Sequence, residues 1–308
     1  MIREISLESF ETIEYLIDDY TSSQKTSIFA PPIPLADRLK HGISEGAIGV
    51  YAFVEHEEAK GFFVLGLRNG GISILHASGE DARVFRIKQE MFDFGFELLS
   101  KEFSLVRVGG GSIDEELSRY LISRGFDKFD RKHMTLSREK IEDLPDSSLD
   151  GSFTFQSYTS DDKQEMSALI YDANVDNIDV KVFPNFFGSE EAVKDLITSI
   201  ENNVYGKYTE GYSLILRKEG EAVGAIFLTQ TDDVTGYIPD ICIRKDNRRQ
   251  GLGRAILVQS FKDMINGMPA LRRINLDVTM KNPARFLYES LGFEDVNHYS
   301  VHLWNKAE

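Results

Sequence analysis

Arg248-Arg249-Gln250-Gly251-Leu252-Gly253 follows a stretch that reads as a strand, 236 to 243, and opens a helix that presents Leu257, Phe261, Met264 and Ile265 on one face. Strand, tight polar turn and helix start, in that order, suit a bound phosphate. The first N–H groups of a helix lack intrahelical partners and point outward, and the helix dipole adds partial positive charge at the same end. Glycines Gly251 and Gly253 carry no Cβ, so a diphosphate can approach the backbone closely. Arg248, Arg249 and Arg254 would add charge-assisted contacts to its oxygens. The plain alternative is a turn with arginines on a solvated face. Two nucleotide motifs fail on the residues themselves. A dinucleotide fingerprint would need a third glycine where Ile256 stands, and a P-loop would need Lys then Ser/Thr where Arg254-Ala255 stand.

Outward from this turn, Ile274-Asn275-Leu276-Asp277-Val278 alternates as a strand, Asn282-Pro283 opens a last helix, and Gly292-Phe293 leads to a closing strand near 298 to 304. Upstream, strands are predicted at about 212 to 217 and 222 to 229, after two helices marked by Met166, Leu169, Ile170 and Ala173 and by Val193, Leu196, Ile197 and Ile200. Residues 137 to 152 are polar and rich in Ser and Asp, which predicts a linker. Before it, 50 to 54, 61 to 67 and 72 to 75 read as short strands of an antiparallel meander. A helix with the stripe Val84, Ile87, Met91, Phe94 and Leu98, a strand at 103 to 108 and a helix at 113 to 124 follow. A shift of 167 residues lays Gly125-Phe126 on Gly292-Phe293 with the preceding helix and strand in rough register. This predicts an internal duplication. The expected class is α+β, two similar domains at 1–138 and 153–308 joined by a linker at 139–152, each a mixed, mostly antiparallel sheet flanked by helices.

The 308 residues, 42% hydrophobic and 28% charged, are enough for two ordinary cores. A net charge of −15 argues against a nucleic-acid binder, which needs a Lys/Arg excess or a strong basic face. It would suit a cationic acceptor, although acidic surfaces also serve solubility alone. No apolar run approaches the roughly 18 residues of a membrane helix, and the start interleaves charges with apolar residues, unlike a secretory signal. The single cysteine, Cys242, excludes an intrachain disulfide and a cysteine-rich zinc cluster and fits a reducing cytoplasm. His41, His56, His76, His133, His298 and His302 show no strong metal spacing, so no metal is expected.

The turn is similar to the Gln/Arg-x-x-Gly-x-Gly/Ala signature of GNAT family N-acetyltransferases, with Arg248 in the first position and Gly251 and Gly253 in the other two. The resemblance extends through Asn282-Pro283-Ala284-Arg285-Phe286-Leu287-Tyr288-Glu289-Ser290-Leu291-Gly292-Phe293, which looks like the family's second signature, and covers about residues 153 to 304. It implies an acetyl-CoA cosubstrate in a gap between the strands at 236–243 and 272–278. Its diphosphate would lie on Arg248 to Arg254, Gln250 and Leu252 included. The backbone of Ile241 and Ile243 is expected to bond the pantetheine, with Asn282 reaching it from the other side. Tyr288 matches the general acid, and an amine attacks the thioester directly. Asn282 also suits an N-cap before proline. Some relatives place a glutamate base where this chain has Tyr237. Asp240 is on the opposite face of the same strand by alternation, so it could act as base only through a bulge or a water, and Pro239 makes an irregularity plausible. The other route is an amine deprotonated through ordered water. Cys242 reads as a small buried residue rather than a nucleophile.

In the shifted register the first half lacks these features. Gly251 and Gly253 fall near Val84 and Arg86, Tyr288 falls on Leu121, and Ser78-Gly79-Glu80-Asp81 offers one glycine and two carboxylates. Gly109-Gly110-Gly111 follows a later strand and reads as a flexible connection. The arrangement resembles tandem GNAT enzymes such as mycothiol synthase, in which the C-terminal domain carries the activity. The resemblance implies an acetyltransferase acting on a small-molecule or peptide amine, with no nucleic acid and no membrane as partner. The alternative is a non-catalytic acyl-CoA-binding or interaction module on the same fold. The segment 174 to 188, with Asp176, Asp179, Phe183, Phe186 and Phe187, is where the family often lines its acceptor site.

Overall fold

Alternating and continuous apolar runs set the strands, and the computed structural model describes them within residues 1–23, 34–109, 113–146 and 149–306. The chain divides into two units, Met1–Asp130 with Tyr299–Glu308, and Arg131–His298. The first contains β1 (Ile2–Glu4), α1 (Glu14–Ser23), α2 (Leu35–Ser44), β2 (Ile48–Glu55), β3 (Glu58–Gly66), β4 (Gly71–Ala77), α3 (Asp81–Glu102), β5 (Leu105–Val108) and α4 (Glu115–Ser123), and ends within β6 (Asp127–Ser137). Strand β3 is apolar on both faces because both are covered. Phe63 and Leu65 pack with Ile87, Met91 and Phe92 of α3, while Phe62 and Val64 pack with Phe10, Leu16 and Ile17 on the other side. The α3 stripe ends differently from the prediction: Leu99 is 3% exposed and Leu98 37%. The two are 100° apart on the helix, and only the former faces the sheet.

The second unit continues with α5 (Arg138–Glu142), β7 (Phe153–Ser157), α6 (Lys163–Asn174), α7 (Ile178–Val182), α8 (Pro184–Phe187), α9 (Glu190–Glu201), β8 (Lys207–Tyr208), β9 (Leu214–Lys218), β10 (Glu221–Asp232), β11 (Thr235–Ile243), α10 (Leu252–Gly267), β12 (Arg273–Thr279) and α11 (Ala284–Leu291), and ends within β13 (Glu294–Asn305). One sheet face packs Met134, Leu136, Ile274, Leu276 and Val278 against Ile256, Leu257 and Phe261 of α10. The other packs Ile215, Ala225 and Phe227 against Ile170 of α6 and Val193 and Ile197 of α9.

The predicted boundary is corrected. Residues 131–137 of β6 pair antiparallel with β12, Arg131 opposite Thr279 through to Ser137 opposite Arg273, so the strand that closes the first half in sequence closes the second unit in space. In exchange, residues 302–305 of β13 pair with β5 in the first unit. The expected linker at 139–152 begins inside the second unit: Ile141 is fully buried in its core, and the Arg138 N–H donates to Arg272 O at 2.8 Å. Its polar composition reflects a solvated face, not a tether. Ser147 and Ser148 lie outside the described residues, as do Gly110 and Gly111.

The strand order is β1-β2-β3-β4-β5-β13 in one unit and β7-β9-β10-β11-β12-β6 in the other. Among the described residues each has a single parallel pair, β4 with β5 and β11 with β12, and the rest are antiparallel. Both sheets are thus mixed and mostly antiparallel, with the same order and the same parallel position. Among the described residues no helix is long and apolar enough to cross a membrane, and no three His, Cys, Asp or Glu side chains are grouped to hold a metal ion.

Candidate active site

Strands β11 and β12 are paired only from Thr235 opposite Arg273 to Ile238 opposite Leu276. Beyond that point β11 continues along β10 to Ile243, and β12 continues along β6 to Thr279. Residues 239–243 and 277–279 therefore part from each other. Pro239 stands at the parting, where an edge tolerates a residue without an N–H. Antiparallel pairs alternate between those that exchange hydrogen bonds and those that do not. The Arg244 N–H donates to Val223 O at 2.8 Å, which makes Cys242 with Ala225 the next bonded pair. The backbone groups of Ile241 and Ile243 consequently turn away from β10, toward the parted side. This is the orientation expected of residues that bond a ligand laid in the gap.

The turn after β11 places its glycines for different reasons. Gly251 caps α10 with φ +79°, a left-handed backbone, and a Cβ there would meet nothing within 4 Å. Its demand is conformational. At Gly253 a Cβ would lie 3.1 Å from Leu287 Cδ2, so this glycine also lets α10 and α11 approach. Arg249 has φ +62° and is exposed, and among the described residues it makes no hydrogen bond or ion pair. Gln250 is exposed beside it, whereas Leu252 is buried in the core. Arg248 differs from expectation: its Nε donates to Ile243 O at 2.9 Å and its Nη2 to Ala173 O at 2.6 Å. It ties the turn to the end of α6 and is committed to backbone carbonyls. Arg254 lies with Nη1 3.5 Å from Ser290 O, too long for a firm hydrogen bond.

A bulge settles the face of Asp240. Tyr237 is opposite Thr229 and Asp240 opposite Phe227, so three residues of β11 span two of β10. Asp240 therefore shares a face with Tyr237, which simple alternation had denied it. Its Oδ2 is shielded from solvent and has no hydrogen-bond partner among the described residues. Burial, then the negative charge of Asp179, pushes its carboxyl up to about 7, against a small opposing pull from the Ile241 N–H. Tyr288 on α11 is 7% exposed, its ring edge-on to Phe293 at 5.8 Å. Burial and then the charges of Asp240 and Asp179 push its phenol above the ordinary value, so it stays protonated at neutral pH. Burial likewise raises the Cys242 thiol, which is no thiolate nucleophile.

Asn282 is more committed than the sequence indicated. Its Oδ1 accepts from the Ala284 N–H at 2.9 Å, as an N-cap does, and its Nδ2 donates to Asp179 Oδ2 at 2.6 Å. Thr279 Oγ1 donates to the other oxygen of Asp179. Of the two acidic residues singled out in the 174–188 segment, Asp179 thus links α7 to β12 and α11, whereas Asp176 pairs with Lys245. Sequence reasoning missed a second group: Tyr237 Oη donates to Asp277 Oδ2 at 3.0 Å, and Asp277 Oδ1 is 3.1 Å from His133 Nδ1. Alternation in β12 marked Asn275 and Asp277 as facing away from the apolar side, but nothing in sequence named β6 as their neighbour.

Residues 209–295 match the acetyltransferase (GNAT) domain. The GNAT match spans β9 to α11 with the turn, the parted strands, Asp240 and Tyr288, and leaves residues 1–208 outside it. A search of curated protein sequences finds no match. Among solved structures the chain resembles a GCN5-related N-acetyltransferase from Sphaerobacter thermophilus, at 16% identity and TM-score 0.69, over 100% of this chain and 96% of that one. It also resembles a tandem GNAT protein from the clavulanic acid biosynthesis pathway, at 12% identity and TM-score 0.66, over 100% of this chain and 99% of that one. These likenesses show the fold over the full length, in the tandem form.

Proposed function

We propose that the second unit is an acetyl-CoA-dependent N-acetyltransferase that acts on a small-molecule or peptide amine by direct attack. The observation that carries this reading is the parting of β11 from β12 beside the Arg248–Arg254 turn, with Asp240 next to the parting and near enough to Tyr288 for its charge to act on the phenol. Bound acetyl-CoA supplies a thioester, an acyl group activated toward amines. The residues fit it: the backbone of Ile241 and Ile243, turned away from β10, suits an amide-bearing chain, while the α10 N-terminus, open space at Gly251 and the exposed Arg249 suit a diphosphate. Arg248 supports the turn from behind, and Gln250, Leu252, Gly253 and Arg254 complete it. Asn282 acts through Asp179 and the α11 cap.

Asp240, with a carboxyl near 7, is matched to take a proton from an acceptor ammonium at neutral pH. Tyr288 holds a proton on Oη where a departing sulfur needs one. The first unit is read as a degenerate copy without a CoA site. Intact protein with acetyl-CoA and a panel of amines, read by thiol release, tests the function. Amine-dependent release above the hydrolysis background supports it; CoA binding with no release for any amine would favour the non-catalytic acyl-CoA-binding module.

A further inference from the structure

The face of the second-unit sheet turned away from α10 carries polar side chains on three adjacent strands. Tyr237, Asn275 and Thr135 form one row across β11, β12 and β6, with Asp277 and His133 in the next row. Their chain neighbours Met134, Leu136, Ile238, Ile274, Leu276 and Val278 all enter the apolar core on the other face, which fixes the direction of the polar set. These groups are deeply placed: Asn275 is 1% and His133 7% exposed. Yet Asn275 Oδ1, Thr135 Oγ1 and His133 Nε2, with Thr235 Oγ1 one row away, are shielded from solvent and have no hydrogen-bond partner among the described residues. Buried polar atoms are ordinarily paired, so a cluster of orphans on one face calls for a cause. The segment carrying Asp179 and Phe183 meets the same face, where Asp179 accepts from Thr279 and the Arg131 guanidinium lies 4.4 Å from the Phe183 ring centroid.

We infer that Thr135, Asn275 and His133 seat the non-reacting end of the acceptor, and that this end bears hydroxyl or amide groups rather than hydrocarbon or a second ammonium. The inference rests on the acetyltransferase reading and names its substrate class. Asp277 accepts from Tyr237 and faces His133 Nδ1, so Nε2 is the ring nitrogen left to meet a ligand. Asn275 Oδ1 is an acceptor, and the threonine hydroxyls can accept or donate. The set therefore calls for a ligand that presents several O–H or N–H donors. A distal ammonium finds no free carboxylate in it, since both Asp277 oxygens have partners. The face draws on both halves of the sequence, because His133 and Thr135 come from the strand the first half contributes.

The test is calorimetric binding to intact, CoA-loaded protein of three probes: 2-amino-2-deoxyglucose, cyclohexylamine and 1,5-diaminopentane, with thiol release from acetyl-CoA followed in parallel. The amino sugar is expected to bind at least about 10-fold more tightly than the other two, because they leave buried polar groups unpaired. Thr135→Val and Asn275→Leu, both close in shape, should each narrow that preference with CoA affinity unchanged, which also shows that the variants fold. Equal or tighter binding of cyclohexylamine or the diamine overturns the inference, as does a preference that neither variant narrows. Efficient acetylation of those two amines alone would overturn it while leaving acetyl transfer standing. Selective, variant-sensitive binding of the amino sugar without thiol release would uphold it and sink acetyl transfer instead.

Discussion

At Asp240, burial and the neighbouring Asp179 charge act in the same direction, and only the Ile241 amide opposes them. A carboxyl at about 7 predicts a rate that rises with pH through neutrality and levels off above it, because the base works only when deprotonated. Asp240→Asn should remove that limb and lower kcat by about 10²-fold or more, read from pH profiles of thiol release. The raised value also makes the fold less stable as pH climbs from about 4, the unfolded carboxyl's value, to about 7, since the folded chain retains a proton that the unfolded chain has released. The melting temperature of Asp240→Asn should therefore exceed that of the wild type by more at pH 8 than at pH 5; a gap independent of pH would remove Asp240 from this role. Tyr288→Phe should leave CoA affinity nearly intact and lower kcat by about 10²- to 10⁴-fold when chemistry is rate-limiting, because only the proton on Oη is lost. Unchanged turnover in single-turnover kinetics would mean another donor.

Among the elements, the exchange of β6 and β13 has the largest consequence. Met134, Leu136 and Ile141 are each 0% exposed in the second unit, yet all precede residue 153. Burying side chains of this size contributes about 1.5–3 kcal/mol apiece, and a domain's net stability is only about 5–15 kcal/mol. A fragment of residues 153–308 is expected not to fold, while one starting at 127 regains the strand. Circular dichroism and thermal melts of the two decide this, and a cooperative melt of the shorter fragment would contradict it. The same exchange shows where the sequence was legible. The Arg248–Gly253 turn could be read because strand, glycines and helix are contiguous, and Pro239 signalled the bulge beside Asp240. Alternation in β6 marked Met134 and Leu136 as facing a core, but a periodicity of two says nothing about which sheet supplies it. The contact between His133 and Asp277 spans 144 residues for the same reason. Arg248 could not be assigned either, since the carbonyl of Ala173 that it bonds belongs to a distant helix.

For the molecule as a whole, two sheets of the same order differ in the turn that leaves the fourth strand. In the second unit, residues 244–251 separate the end of β11 from the start of α10, and this long turn carries Arg249 and Gly251, both left-handed. In the first, α3 begins at Asp81 directly after Ser78-Gly79-Glu80, so the long turn is missing and Glu80 and Asp81 occupy the helix start. Carboxylates at that end oppose a phosphate, whereas exposed Arg249 favours one. With a net charge of −15 over the whole chain, no general attraction draws an anion, so the proposed CoA binding would depend on this local difference. The decisive measurement is a calorimetric titration of CoA into the intact chain and into Arg249→Glu. One site per chain is predicted, weakened about 10-fold or more by the charge reversal. Two sites, or one site indifferent to Arg249→Glu, would contradict the placement of acetyl-CoA on the second unit's turn.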